Sequence, residues 1–410
     1  MFGSTTIAPT STPTTTDLRR TNLSAVLRLL HEGGPQRRAD LTDTTGLNRS
    51  TVLSVVDELS ELGLATETTP VSDGTRGRPS AVVSANSDGV VAIGVEVAVD
   101  RARIAVIGLG GAMHRSIDID VNPAKAGPSE TARAIGEASV GVLAGRPTVI
   151  GVGIAVHGMV DHQGQLTVGP NLGWSSLDLG DAASEWQPAD VPTFFGNDAA
   201  LGARGEYRRG VGRERTQLFY LSAERGIGGA AITDGASQLG ISGFAGEVGH
   251  MVVDRGGRRC ACGSLGCWET EIGESALLRK SGRRTNNRAG AAGVLSAARE
   301  GDRRALTAVA DVAGWLGFGL GNIANITDPE MIICGGYLAE VLALDRPTIE
   351  KEMTAVRVPR GLPGPDVVPS ALGADAALVG AAELAFEHLL ADPARTGDDH
   401  PTSHREAGAA

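Results

Sequence analysis

Gly246-Glu247-Val248-Gly249-His250, followed after a polar spacer by Cys260-Ala261-Cys262-Gly263-Ser264-Leu265-Gly266-Cys267-Trp268-Glu269, is the stretch on which the reading of this chain turns. It places three of the four cysteines within reach of His250, and three thiolates with one imidazole are a ligand set that tetrahedral zinc takes. Four protein ligands close the shell and leave no position for an activated water. The zinc expected on His250, Cys260, Cys262 and Cys267 is therefore structural, stapling a loop that otherwise has only glycines and polar residues to hold it. The competing reading makes the cysteines buried small hydrophobes, or a disulfide with one thiol left over. Cysteines bunched this closely, in a chain that opens without a secretory signal pattern, argue for metal.

The same residues carry a family resemblance. Gly-Glu-x-Gly-His followed by Cys-x-Cys-Gly-x-x-Gly-Cys-x-Glu resembles the signature of the ROK family, which groups bacterial sugar-responsive repressors with sugar kinases. The resemblance implies that Glu247, His250 and Glu269 contact the hydroxyls of a bound hexose, with His250 also holding the zinc. Carboxylates and an imidazole on a metal-stapled loop suit a ligand made mostly of hydroxyl groups.

A chain of 410 residues has room for two or three domains, and its 21% charged content is that of a globular protein. No unbroken apolar run is long enough to span a bilayer, and the cytoplasm is the expected compartment. A net charge of -11 argues against a protein that coats nucleic acid nonspecifically, while a small DNA-reading module on an acidic body stays compatible with it. Many glycines and few aromatics fit α/β architecture.

Residues 1–16, mostly Ser, Thr and Pro, have too little apolar area to order and are expected to form a disordered arm. From Leu23 the pattern is helical: Leu23, Val26, Leu27 and Leu30 share a face, and Gly33-Gly34 ends it. A short helix over Arg38 to Thr45, a glycine turn at Gly46, an Asn48 cap and a third helix burying Val52, Val55, Val56 and Leu59 complete a helix-turn-helix. Arg49, Ser50, Thr51 and Ser54 lie on the exposed start of that third helix and are the candidates for reading bases and phosphates. Arg76 and Arg78 flank a glycine on the tip or exit of an expected wing, a pattern suited to the minor groove or to phosphates. A three-helix module used for protein contacts would show the same periodicity. The resemblance favours DNA, since ROK repressors open with a winged helix of this layout, here over residues 17–85.

Beyond it, Val90 to Val97, Ala102 to Gly108 and His114 to Val121 read as a meander, Glu130 to Leu143 as a helix and Thr148 to Val156 as a buried strand. This order resembles the two-lobed, actin-like fold of sugar kinases: a first lobe over 86–196, braced by a C-terminal helix over 374–390, and a second over 197–373 carrying the zinc loop. Residues 391–410 read as a disordered tail. Gly158, in a loop near the sugar, and Asn197-Asp198, at a strand end, match further family landmarks that imply sugar contact. In the kinases that aspartate is the base, whereas an Asn-Asp pair at a strand end can equally cap a helix. Where the family's kinases carry Asp-x-Gly-Gly-Thr to hold phosphates, this chain has Glu96-Val97-Ala98-Val99-Asp100, whose β-carbons obstruct close backbone approach.

The expectation is a sugar-responsive DNA-binding regulator, most plainly a repressor of carbohydrate genes. Its implied partners are operator DNA, a sugar or amino sugar effector and further copies of itself, as a homodimer or homotetramer. No enzyme activity is expected. The alternative is an ATP-dependent sugar kinase using Asp198.

Overall fold

Thr14 and Asp17 cap each other reciprocally, so the chain turns helical two residues before the expected boundary, and α1 spans Thr15–Gly33. A computed structural model describes residues 14–68, 81–143, 148–184, 191–283, 290–358 and 360–395; the expected arm before Thr14 and the tail after 395 lie outside them. The chain divides into two units. One runs to Val90 and takes in Gly108–Gly110 and the chain from Glu387; the other holds Val91–Ile107 and Gly111–Phe386.

In the first unit, α1 buries Leu23, Val26, Leu27 and Leu30 on one face. The second helix, α2 (Arg38–Thr45), stops at Gly46, whose φ of 69° is the left-handed conformation that a glycine adopts without strain. Asn48 then caps α3 (Arg49–Glu61), its side chain accepting from the Thr51 amide. Val52, Val55, Val56 and Leu59 turn inward at helical spacing. A small antiparallel sheet completes the unit, with Val82–Ala85 between Gln36–Arg37 and Ala65–Thr68. Arg76 and Arg78, expected on its connecting loop, lie outside the described residues. The C-terminal helix, Ala376–Ala391, reaches this unit with its last turn, where Leu390 accepts from the Ser24 hydroxyl and Glu387 pairs with Arg28 at 3.0 Å. Leu389 and Leu390 are buried, and helix followed by a turn at Pro393–Arg395 occupies the start of what the sequence reads as a disordered tail.

Two five-stranded sheets built alike, with a smaller three-stranded sheet of 159–160, 165–169 and 174–178, make up the strands of the second unit. The first has the order 193–197, 148–156, 90–97, 102–108, 113–119 and the second 366–369, 331–334, 217–223, 227–233, 236–237. In each, a central strand pairs antiparallel with the next strand in sequence and is flanked on its other side by strands reached through helices. That repeated plan is the actin-type fold of the sugar kinases. Val90–Val97, central in the first sheet, is buried along its whole length, which explains why its sequence, Glu96 apart, is apolar throughout instead of alternating. The C-terminal helix lies directly on this sheet. Gly94 and Gly153 let its backbone approach, and a β-carbon at Gly153 would sit 1.8 Å from the Ala381 carbonyl oxygen.

The long helix Arg303–Thr327 begins earlier than its apolar run, because Asp302 caps it by accepting from the Ala305 amide. Among the described residues it is the one helix long and apolar enough to cross a membrane, and over half of its apolar window is buried. It is a core helix, packed with Trp268, Leu277 and Leu338. Trp268 is fully buried and donates its indole N–H to the Trp315 carbonyl at 2.8 Å. Its ring rests where a β-carbon at Gly319 would be, 2.1 Å away.

Candidate functional site

The metal cluster is assembled by a turn-rich loop. Isolated bridges join Val252 to Cys267 and Arg259 to Leu265, and Gly266, at φ 73°, passes so close to Asp254 that a β-carbon would meet the Asp254 carbonyl. The result brings His250 Nδ1 to 3.6 Å from Cys260 Sγ and Cys262 Sγ to 3.6 Å from Cys267 Sγ. One ligand atom from each of the four residues lies within 4.8 Å of all the others, so the cluster can hold a metal ion. A zinc tetrahedron with Zn–S of about 2.3 Å and Zn–N of about 2.0 Å has edges of about 3.5 to 3.8 Å, which these separations match. No disulfide competes, since the cysteines are free. Burial pushes the Cys260 thiol up to about 12, so its thiolate needs a cation beside it. Cys334 is buried in the second sheet, away from the cluster, as a core residue.

Cys267, Trp268 and Glu269 are consecutive, so a ligand, the indole anchor on helix 303–327 and a carboxylate are set in one short stretch. Glu269 Oε2 accepts from the Ile227 amide at 3.2 Å. His250, with Nδ1 turned to Cys260, presents Nε2 towards Glu247 at 3.9 Å. Burial raises the Glu247 carboxyl above its usual range.

Asp198 begins helix Asp198–Arg209 directly after the edge strand Thr193–Asn197. Its Oδ1 accepts from the Ala199 amide at 3.0 Å, and its Oδ2 is 2.7 Å from His157 Nδ1. Asn197 does cap the helix: its carbonyl oxygen accepts from the Ala199 and Ala200 amides, and its Nδ2 donates to the Gly158 carbonyl at 2.9 Å. One amide hydrogen is left for a ligand. Gly158 is itself a tight spot, since a β-carbon there would stand 2.8 Å from Leu166 Cδ1 and 3.0 Å from the Val168 carbonyl oxygen.

His157, Asn171 and Gly226 join this group, although the sequence assigns them no contact of their own. His157 Nε2 is 3.3 Å from Asn171 Nδ2. A β-carbon at Gly226 would lie 3.1 Å from Asn171, 3.2 Å from Glu269 and 3.3 Å from His157. These residues therefore meet at one point between the two sheets. Burial works against a charged imidazole at His157, but the Asp198 carboxylate outweighs it and raises the pKa to about 9. The signals in the sequence are that His157 adjoins Gly158 and that Asn171 lies in Pro170-Asn171-Leu172-Gly173-Trp174, a further stretch resembling the family; neither points to Asp198.

Glu96-Val97-Ala98-Val99-Asp100 ends the first strand, and the structure shows what surrounds it. Arg101 sends one nitrogen to both Glu224 oxygens at 3.0 Å and to Glu96 at 3.4 Å. Arg225 binds Asp100 at 2.5 Å and Glu274 at 2.9 Å. Glu96 is nearly closed off from solvent, and burial lifts its carboxyl to about 7. Arg225 holds Asp100 below its usual range in spite of partial burial.

In the first unit, Arg49, Ser50 and Ser54 are exposed on α3 and Thr51 is half-buried. The Ser50 and Thr51 hydroxyls both point to Asn48 Oδ1, at 2.6 and 3.1 Å, so these two are engaged by the cap. Leu53 is an exposed apolar side chain on the same face. Further along come Asp57, near Arg38, and Glu58, paired with Arg19.

The ROK family profile matches residues 92–388. The chain is 30% identical over 381 residues to the xylose repressor of Bacillus spizizenii, covering 92% of this chain and 97% of that protein. Among solved structures it resembles a ROK family glucokinase from Streptomyces griseus bound to glucose and AMPPNP, with 30% identity, TM-score 0.62 and coverage of 72% of this chain and 99% of the enzyme. It also shares its fold with a ROK family transcriptional regulator described as a homolog of the E. coli MLC protein, with 24% identity, TM-score 0.75 and coverage of 91% and 97%.

Proposed function

The chain belongs to the ROK family, and from that premise we propose that it is a sugar-responsive transcriptional repressor. One observation carries this reading above the rest. The family profile starts at residue 92, the glucokinase likeness covers 72% of the chain, and the xylose repressor likeness covers 92%. What the repressor match adds is a unit of three helices and a small sheet, which we read as a winged helix-turn-helix with α3 as the reading helix.

Arg49 stands at the exposed start of that helix, with Ser50, Thr51 and Ser54 beside it, while Arg76 and Arg78 are assigned to the wing. In the second unit, Asp198, Glu247, His250 and Glu269, with Gly158, Asn197 and the added His157 and Asn171, are assigned to a sugar, for which xylose is the first candidate by analogy with the relative. Zinc suits the ligand set of His250, Cys260, Cys262 and Cys267, where it would close its own shell and fix His250 Nε2 towards Glu247. A dimer acting in the cytoplasm fits a reading helix that must span two half-sites.

The test is selection of sites from a random duplex pool by the full-length protein, followed by release with D-xylose, D-glucose and N-acetylglucosamine. Enrichment of a palindromic site and release by one sugar are expected. In the Arg49→Ala variant, discrimination on the selected site should fall by about 1 to 3 kcal/mol if Arg49 meets a guanine. A pool that stays unenriched would overturn the reading.

Sugar phosphorylation is the second reading, favoured by the glucokinase likeness and by Asp198. Phosphoryl transfer depends on positioning and on neutralising phosphate charge. Here the place of the phosphate-binding turn has β-carbons at Val97, Ala98 and Val99, and both nearby arginines, Arg101 and Arg225, are bound to carboxylates. A coupled assay at saturating ATP and magnesium with each sugar is expected to show no turnover; turnover of about 1 per second, lost in Asp198→Asn, would make this a kinase.

A further inference from the structure

Asp100-Arg101, on the turn after the central strand of the first sheet, faces Glu224-Arg225, on the turn after the central strand of the second. Each acid-base dipeptide pairs crosswise with the other. Arg101 takes Glu224 at 3.0 Å, and Arg225 takes Asp100 at 2.5 Å. Two secondary contacts anchor the arrangement, Arg101 to the closed-off Glu96 at 3.4 Å and Arg225 to Glu274 at 2.9 Å. The four side chains of the two dipeptides are each about a third to a half exposed, at 35% and 33% for one pair and 48% and 37% for the other.

The residue next to Arg225 is Gly226, where a β-carbon would meet His157, Asn171 and Glu269, and the residue after that is Ile227, whose amide binds Glu269. The loop tied down by the dipeptides is therefore the loop that lies against the effector residues. We propose that Asp100, Arg101, Glu224 and Arg225 are positioning residues of the effector site, forming an ionic clasp that holds the two sheets at the separation the sugar requires. The inference rests on the sugar-binding reading above and adds to it a part built from residues outside the sugar contacts.

Partly exposed ion pairs contribute little to global stability and are screened by salt. The clasp therefore acts on the small energy difference between closed and open arrangements of the sheets, where a modest term is enough to shift the population. A neutral sugar has no net charge of its own for salt to screen, so a salt dependence of its affinity comes from ion pairs of the protein, and substitution at Asp100 and Arg225 tells the clasp from the His157–Asp198 pair.

The experiment is calorimetric titration of full-length, zinc-loaded protein with D-xylose, D-glucose and N-acetylglucosamine, at about 0.05 and 0.5 M salt. Wild-type affinity for the sugar that binds should weaken about three- to tenfold at the higher salt. Asp100→Asn and Arg225→Gln should each weaken it at low salt, with the double variant no worse than the weaker single variant, and all three should show a smaller salt dependence, since the Arg101–Glu224 pair remains in them. Zinc content and melting temperature should stay near wild type. Sugar affinity that ignores these substitutions would overturn the clasp, and wild-type affinity that ignores salt would overturn it even if a variant folds poorly. Failure of every sugar to bind would instead count against the effector reading on which the clasp depends.

Discussion

Cys262→Ser is expected to release the metal and to weaken sugar binding by about 100-fold, although Cys262 touches no part of the proposed sugar site. Structural zinc contributes on the order of 10 kcal/mol to the loop it closes, and a hydroxyl replaces a thiolate poorly as a ligand. Without the metal, the stretch from His250 to Cys267 keeps its start, where Met251 and Val253 pack on the core, but its tip around Cys260 and Cys262 is left to backbone hydrogen bonds and glycine turns. His250 Nε2 and Glu247 then lose their fixed separation, and Glu269, two residues from Cys267, loses one of its two anchors. Trp268 remains as the other, so the second sheet and helix 303–327 should stay folded. Cys262 is the suitable position because it is exposed, and its substitution leaves no cavity in the core. Zinc content by elemental analysis and sugar titration on the same sample measure both effects. Cys334→Ser, at the buried cysteine away from the cluster, should keep the metal. A Cys262→Ser protein that retains zinc and binds sugar normally would remove the metal from the account.

The second large effect is on stability against pH. The folded protein binds a proton at His157 more tightly than the unfolded chain does, with a pKa of about 9 against 6.5. At 1.36 kcal/mol per unit this is worth about 3 kcal/mol. A raised histidine pKa stabilises the fold in full below the unfolded value and loses that contribution as pH rises through the folded one. Wild-type stability should therefore exceed that of His157→Gln most at about pH 6, and the difference should shrink by about 3 kcal/mol towards pH 10. Glu96 also makes the fold less stable as pH rises, but it does so on the way up to about 7 and does so equally in both proteins. Urea melts of the pair across this range are the measurement. A difference that stays constant with pH would mean that His157 is neutral and that its contact with Asp198 is an ordinary hydrogen bond.

Local patterns made the first unit and the metal cluster readable. Helical spacing of Leu23, Val26, Leu27 and Leu30, the glycine turn at Gly46 and the Asn48 cap are features of a few neighbouring residues, and the structure reproduces them. The same holds for the strands around residues 90, 102 and 148. Boundaries were less legible where a polar residue outside the apolar run caps a helix, as Thr14 and Asp302 do.

The four residues of the cluster that can hold a metal could be named from the sequence because three of them fall within eight residues of one another and their chemistry is distinctive. Asp198 could be placed at a strand end for a similar reason, but the sequence could not say what it faces. That was decided by the crossing of the chain between strands. His157 meets Asp198 across 41 residues, and Arg101 meets Glu224 across 123. Neither pair shares a period, a turn or a cap, so no local pattern encodes it. An ion pair at such separation exists only because two independently formed sheets present their strand ends to each other. Local stereochemistry thus determined the helices, the strands and the metal ligand set, whereas the partners of Asp198, the clasp and the seating of Trp268 on Gly319 were settled by packing between elements distant in the chain.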